Sequence, residues 1–290
     1  MSHVAFLGTG LMGSAFVEAL RGRGVDVVAW NRTASRAQPL LAHGARVAST
    51  AAEAVRGAVR VHLSLSDDVA VDATLDEIIP ALGPGVLVVD HTTVSPSGTA
   101  ARAARMVAAG AAFLHAPVFM APANARARTG LMLCSGPRAH FSVVEAELKA
   151  MTGELWYLGE RPDQAAAFKL FGNAMIATIS AGLADVFTLA RAAGIGAEDA
   201  HTLWSHFNPM SQFTGRGVRM AQGDFRPSFE LLMARKDVRL MLETASGGSA
   251  PLSVLPAVAR RMDELIARGF GHDDLAVLAV DAVPRRDGKA

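Results

Sequence analysis

Along the first half of the chain, short continuous apolar runs alternate with stretches in which apolar residues recur every three or four positions. The runs at residues 4–7, 26–30, 46–48, 61–65, 86–89 and 112–114 predict strands. Helical periodicity is expected from the glycines after the first run to Leu20, at 51–56 and at 69–79, and Ser95-Pro96 supplies a cap and a first-turn proline for another helix. Strands joined by helical crossovers imply a doubly wound parallel sheet, the Rossmann arrangement, with ligands at the C-terminal ends of the strands.

The rhythm changes at Pro162. From there to Gly194 the chain has ~31 residues without an interior proline, dense in Ala, Leu and Ile, which predicts one helix of ~45 Å. Pro162 suits the first turn, and Gly194 stands where a left-handed C-terminal cap belongs. Beyond it the segments 198–206, 212–222, 229–246, 253–268 and 273–282 all carry helical periodicity. The expected organisation is therefore α/β: a dinucleotide-binding domain over 1–161, an interdomain helix over 162–194 and an all-helical domain over 195–290, for substrate and dimerisation. Such helices leave apolar faces on a small domain, so a homodimer or homotetramer is expected.

Composition narrows the class. With 51% hydrophobic and 19% charged residues, 290 residues can bury a sizeable core, and a net charge of +1 gives no broad field for nucleic acid or membrane. Cys134 is the only cysteine, which rules out an intrachain disulfide and fits a reducing compartment, and no metal-ligating set emerges. The strand beginning at Val4 argues against a signal peptide, and Lys169 and Asp185 interrupt the one long apolar helix, so the expected compartment is the cytoplasm. The tail from Pro284 is expected to fray.

The first strand ends in Gly8-Thr9-Gly10-Leu11-Met12-Gly13, a G-x-G-x-x-G fingerprint with the strand, helix and second strand that dinucleotide binding requires. Gly8 permits the tight turn, Gly10 lets backbone approach a pyrophosphate, and Gly13 packs helix on strand. An NAD site normally places Asp or Glu at the end of the second strand. Here Asn31-Arg32-Thr33 stands instead, with Arg36 one turn on, which favours the 2'-phosphate of NADP. Ser64, Leu65 and Ser66, together with Thr92 and Thr93, fall at later strand ends and should line the cofactor.

On the long helix, Lys169 and Asn173 lie four residues apart on one face among apolar neighbours. Of 28 basic residues only Lys149, Lys169, Lys236 and Lys289 are lysine. An ordinary helical lysine reaches water with its head. One set among Phe168, Phe171 and Ile176 faces a cleft or interface, where its proton can be tuned as that of arginine cannot.

These motifs resemble the beta-hydroxyacid dehydrogenase family, which includes 3-hydroxyisobutyrate dehydrogenase and glyoxylate/succinic semialdehyde reductases. The resemblance also rests on Asp90-His91-Thr92-Thr93, on Ala116-Pro117-Val118 before Gly130-Leu131, and on Lys236-Asp237. It implies an NADP(H)-dependent oxidoreductase that moves hydride between nicotinamide and a small carbonyl or hydroxy substrate. In it Lys169 would act as general acid and base, Asn173 would orient substrate and Lys236 would lie near the cofactor. Family members usually read Val-Ser-Gly-Gly where this chain has Val118-Phe119-Met120-Ala121, so the carboxylate cradle of the family is altered. A bulkier, less polar substrate suits Phe119 and Met120, with Asn124, Arg126 or Arg128 as alternative anion contacts and Trp204 and Phe207 as pocket walls. The stretches 130–137 and 156–160 are similar instead to imine reductases, which typically lack the lysine. Reduction of C=N is thus the alternative activity, and a non-catalytic cofactor-binding protein a second.

Overall fold

The computed structural model describes residues 3–248 and 250–286. Two compact units divide the chain, Met1–Asn173 and Ala174–Ala290. In the first, strands β1 (His3–Leu7), β2 (Val27–Trp30), β3 (Arg46–Val47), β4 (Ala58–Leu63), β5 (Leu87–Asp90) and β6 (Ala112–His115) form a parallel sheet in the order β3-β2-β1-β4-β5-β6. Three further strands, β7 (Val118–Phe119), β8 (Leu131–Ser135) and β9 (Glu154–Gly159), extend it. The chain turns back here, since β8 runs antiparallel to β6, pairing at His115 and Ser135.

Helices cover both faces. Helices α1 (Leu11–Gly22), α2 (Ala51–Val55), α3 (Asp68–Ile78), α4 (Pro96–Ala108), α5 (Pro122–Ala127) and α6 (Arg138–Lys149) follow the strands in turn. Because successive strand residues point to opposite faces, Phe6 enters one core with Phe16, Leu20 and Phe141 while Leu7 enters the other with Val61, Leu75 and Met106. Each fully buried side chain of this size contributes roughly 1.5–3 kcal/mol. Ser95 Oγ accepts from Gly98 N at 3.1 Å and caps α4, as expected. Buried Arg102 on α4 bonds Asp68 (2.8 Å) and Asp72 (2.7 Å), which locks α4 to α3.

The long helix α7 spans Gln164–Ala192, and Gly194 follows it with φ +75°. Pro162 stands just ahead of the helix rather than inside it. The cap comes from β8: Ser135 Oγ accepts from Ala165 N (2.9 Å) and donates to Pro162 O (2.9 Å). By length and composition α7 could cross a membrane.

The second unit is helical, with α8 (Ala197–His201), α9 (Ser211–Thr214), α10 (Arg216–Ala221), α11 (Leu231–Ser246) and α12 (Leu255–Leu265). The single helix expected over 212–222 breaks at Gly215, and the one expected over 273–282 is a short 3-10 turn, Leu275–Ala279. Buried Asp185 of α7 accepts backbone N–H groups from Ser253, Val254 and Leu255 at 2.5–2.9 Å. The charge that seemed to interrupt the helix is thus a satisfied cap for the start of α12. The expected fraying does not begin at Pro284: Arg286 N donates to Gly223 O (3.0 Å) and Arg285 pairs with Asp273 (2.8 Å), while residues 287–290 lie outside the described residues.

Candidate active site

The C-terminal ends of β1, β2, β4 and β5 and the start of α1 open onto a cleft of about 690 Å³. Its geometry depends on two glycines. Gly8 has φ +95°, and a Cβ there would stand 2.2 Å from Ser64 O; a Cβ on Gly13 would stand 1.9 Å from Gly8 O. A Cβ on Gly10, by contrast, would meet nothing within 4 Å, so open space lies directly against the backbone. No side chain caps α1 and no acidic residue sits in its first turn. Free N–H groups and the positive helix end therefore face that space, which fits the pyrophosphate of a dinucleotide.

The rim is fixed by side-chain to backbone bonds. Asn31 Oδ1 accepts from Thr9 N (3.0 Å), and its amide donates to Thr33 O (3.0 Å). Thr92 Oγ1 accepts from Leu65 N (3.0 Å), tying β5 to β4. Leu11, Met12, Ser64, Leu65, Ser66, Thr92 and Thr93 line the cleft, whereas Thr9 and Gly13 are not part of its lining. Arg32, Thr33 and Arg36 stand together at one end. Neither guanidinium has a hydrogen bond or ion pair among the described residues.

Sequence reading missed one wall. Ala70, Ala73, Thr74 and Glu77 of α3 line the cleft at i, i+3, i+4 and i+7. The small residues on one stripe were the available signal.

At the other end stand Phe16, His91, Val118, Met120 and Lys169. The Lys169 residue is 9% exposed, and Nζ lies 4.0 Å from the centroid of the Phe119 ring. Burial pushes its ammonium below the usual lysine range. Asn173, one turn on, is half-buried and is not part of the lining. Two of the three expected anion contacts are otherwise engaged. Arg126 bonds Glu18 at 2.6 Å and, with Arg128, borders a separate recess, while Asn124 caps its own helix through Ala121 N (2.9 Å). Ala121 is exposed. Lys236, Trp204 and Phe207 belong to the second unit, where Lys236 pairs with Asp237 (2.7 Å) and the two rings lie 6.2 Å apart.

A buried chain of histidines backs the cleft. Arg60 Nε donates to His62 Nε2 (2.8 Å), His62 Nδ1 meets His91 Nε2 (2.8 Å), and His91 Nδ1 meets Ala116 O (2.7 Å). Arginine can only donate, so each ring must accept on Nε2 and donate from Nδ1. Both imidazoles are therefore neutral. Desolvation drives His62 well below the usual histidine range and His91 down to about 4. The chain ends on the carbonyl that precedes Pro117-Val118-Phe119 and so holds that segment against Lys169.

Residues 3–159 match the family described as the NAD binding domain of 6-phosphogluconate dehydrogenase, and residues 164–280 match the NAD-binding domain of NADP-dependent 3-hydroxyisobutyrate dehydrogenase. Glyoxylate/succinic semialdehyde reductase 1 of Arabidopsis thaliana is 27% identical over 284 residues, 96% of either chain. An uncharacterised oxidoreductase of Shewanella frigidimarina is 30% identical over 286 residues, 96% of this chain and 98% of that one. Among solved structures, an imine reductase from Myxococcus stipitatus in complex with NADP+ superposes with a TM-score of 0.88 at 24% identity, covering 95% of this chain and 98% of that one. At that identity the likeness speaks for the fold alone.

Proposed function

The chain belongs to the 6-phosphogluconate dehydrogenase/3-hydroxyisobutyrate dehydrogenase family of NAD(P)-binding oxidoreductases, and on that premise we propose that it is an NADP(H)-dependent carbonyl reductase or alcohol dehydrogenase using Lys169. The observation that carries the reading is a buried lysine with no carboxylate partner among the described residues, at one end of a cleft shaped for a dinucleotide. When bound, the nicotinamide supplies or accepts the hydride. Lys169 Nζ hydrogen-bonds the substrate oxygen, gives it a proton on reduction and takes one on oxidation. Its lowered pKa brings that exchange nearer working pH. Asn173, one turn along the helix, orients the ammonium or the substrate oxygen.

The choice of NADP follows from Arg32 and Arg36, whose guanidinium groups make no hydrogen bond among the described residues and would hold a 2'-phosphate. Charge-assisted bonds of this kind are worth about 1.5–3 kcal/mol. Arg32→Ala should therefore raise KM for NADPH about tenfold to a hundredfold and leave KM for NADH nearly unchanged. Equal loss with both cofactors would refute this assignment.

The activity itself is tested by NADPH consumption at neutral pH with carboxylate semialdehydes, neutral aldehydes and ketones, and cyclic imines. One observation favours imine reduction as a second reading. Burial disfavours the charged form of Lys169, which lessens the repulsion that an iminium ion would meet there. Turnover of imines alone would select that reading, and NADPH binding without any turnover would leave a non-catalytic cofactor-binding protein.

A second copy of the chain is the proposed cover for α7, where Leu170, Phe171, Met175, Ile176 and Ile179 are all exposed. Light scattering in detergent-free buffer should return a multiple of 30.3 kDa. A monomer at micromolar concentration, or a chain that stays dispersed only in detergent, would contradict it.

A further inference from the structure

Phe119 is wedged against α7. Its ring centroid lies 4.0 Å from Lys169 Nζ, and a Cβ on Gly172 would fall 2.3 Å from its Cζ. Lys169 and Gly172 are three residues apart and thus share a helix face, so the ring occupies the notch that the missing side chain leaves beside the lysine. Lys169 has no hydrogen-bond acceptor or carboxylate within bonding distance among the described residues.

Apart from the Thr92 and Thr93 hydroxyls, the described residues lining this end of the cleft offer an anion no free polar side chain. Phe16, Val118 and Met120 are apolar, and both ring nitrogens of His91 are spent within the histidine chain. Arg126 is bonded to Glu18, and Arg128 borders the separate recess. Arg32 and Arg36 stand at the opposite end, beside Asn31 and Thr33. A carboxylate brought to this end would lose its hydration beside Phe119, Phe16, Val118 and Met120, whereas an uncharged carbonyl asks only for a single hydrogen bond in apolar surroundings.

We propose that Phe119 is the specificity-determining residue of this site and that the substrate is an uncharged aldehyde or ketone with an apolar substituent. The inference rests on the reading that Lys169 marks the reaction site. Phe119 sets apolar surface beside the ammonium, and the Ala116 carbonyl held by His91 keeps the segment carrying the ring in place.

The test compares butanal with 4-oxobutanoate, which differ by a carboxylate on a chain of the same length, in wild type, Phe119→Ser and Phe119→Leu. Wild type should favour butanal in kcat/KM by at least about tenfold, the scale on which one unpaired buried charge discriminates. Phe119→Ser should cut that preference at least about tenfold by replacing the ring beside the reacting carbonyl with space and a hydroxyl donor for the carboxylate. Phe119→Leu keeps apolar bulk and should keep the preference, which separates the role of the ring from mere disturbance of the fold. Titration of the NADPH complex with butyrate and butyramide gives a readout independent of turnover: wild type should bind the amide more tightly, and Phe119→Ser should gain affinity for butyrate. Equal or better use of 4-oxobutanoate by wild type, or an unchanged ratio in Phe119→Ser, would overturn the proposal. Absence of turnover with either aldehyde would overturn the carbonyl reading, and the titration would then decide the role of Phe119 by itself.

Discussion

Lys169→Ala should lower kcat/KM for carbonyl reduction by about 10²–10⁴-fold, the range that a positioned general acid contributes, while the Kd for NADPH changes little. The split follows from the geometry. The phosphate-binding features, an uncapped α1 beside the open space at Gly10, lie at Gly8–Gly13 and at Arg32, and none of them touches Lys169. Lysine removal also relieves the burial of a desolvated amine, so the variant should fold at least as stably. Lys169→Arg is the sharper control. Guanidinium keeps a charge and donors but cannot release a proton at working pH, so it should fail nearly as badly as alanine. Steady-state kinetics with cofactor titration by fluorescence quenching checks both, and an active Lys169→Ala enzyme would remove the lysine from the chemistry.

Acid should destabilise the first unit well above the pH at which carboxylates titrate. His91 binds its proton at about 4 in the folded state but near 6.5 when unfolded, because burial beside His62 disfavours the charged ring. The unfolded chain then holds more protons between those values, so stability is fully present above pH 6.5 and falls as pH drops toward 4. The loss from His91 alone is on the order of 3 kcal/mol, and His62 adds to it in the same direction. The carboxyls of Asp67 and Asp68 are held below their ordinary value by hydrogen bonds and contribute only at lower pH still. Urea unfolding from pH 7.5 to 4.5 should show a falling midpoint. His91→Gln can still accept from His62 and donate to Ala116 O but cannot titrate, so it should flatten the slope; a midpoint independent of pH in the parent chain would refute the neutral pair.

Much of this protein is local and therefore legible along the chain. The parallel strands β1 to β6, the Ser95 cap and the dinucleotide fingerprint each depend on residues a few positions apart. Period 2, period 3.6 and the glycine spacing all survive as patterns in one dimension. Arg32 in place of an acidic residue is likewise a local fact, and so is a lysine on an apolar helix. What the sequence alone determined is this set of elements and the kind of chemistry they carry.

The tertiary structure decided what those elements meet. Ser135 caps α7 from thirty residues away at Ala165, and Phe119 finds Lys169 and Gly172 across fifty or more residues of chain. The strands β7 to β9 that make both meetings possible include one of only two residues, too short for any period to announce. The histidine chain joins β4, β5 and the Ala116 carbonyl through side chains that look like unrelated strand residues when read in order. Arg126 seemed available to a substrate anion until the fold placed Glu18 beside it. Hydrogen bonds and ring contacts of this kind depend on distances that strand order and chain reversal set, and no spacing along the sequence encodes them.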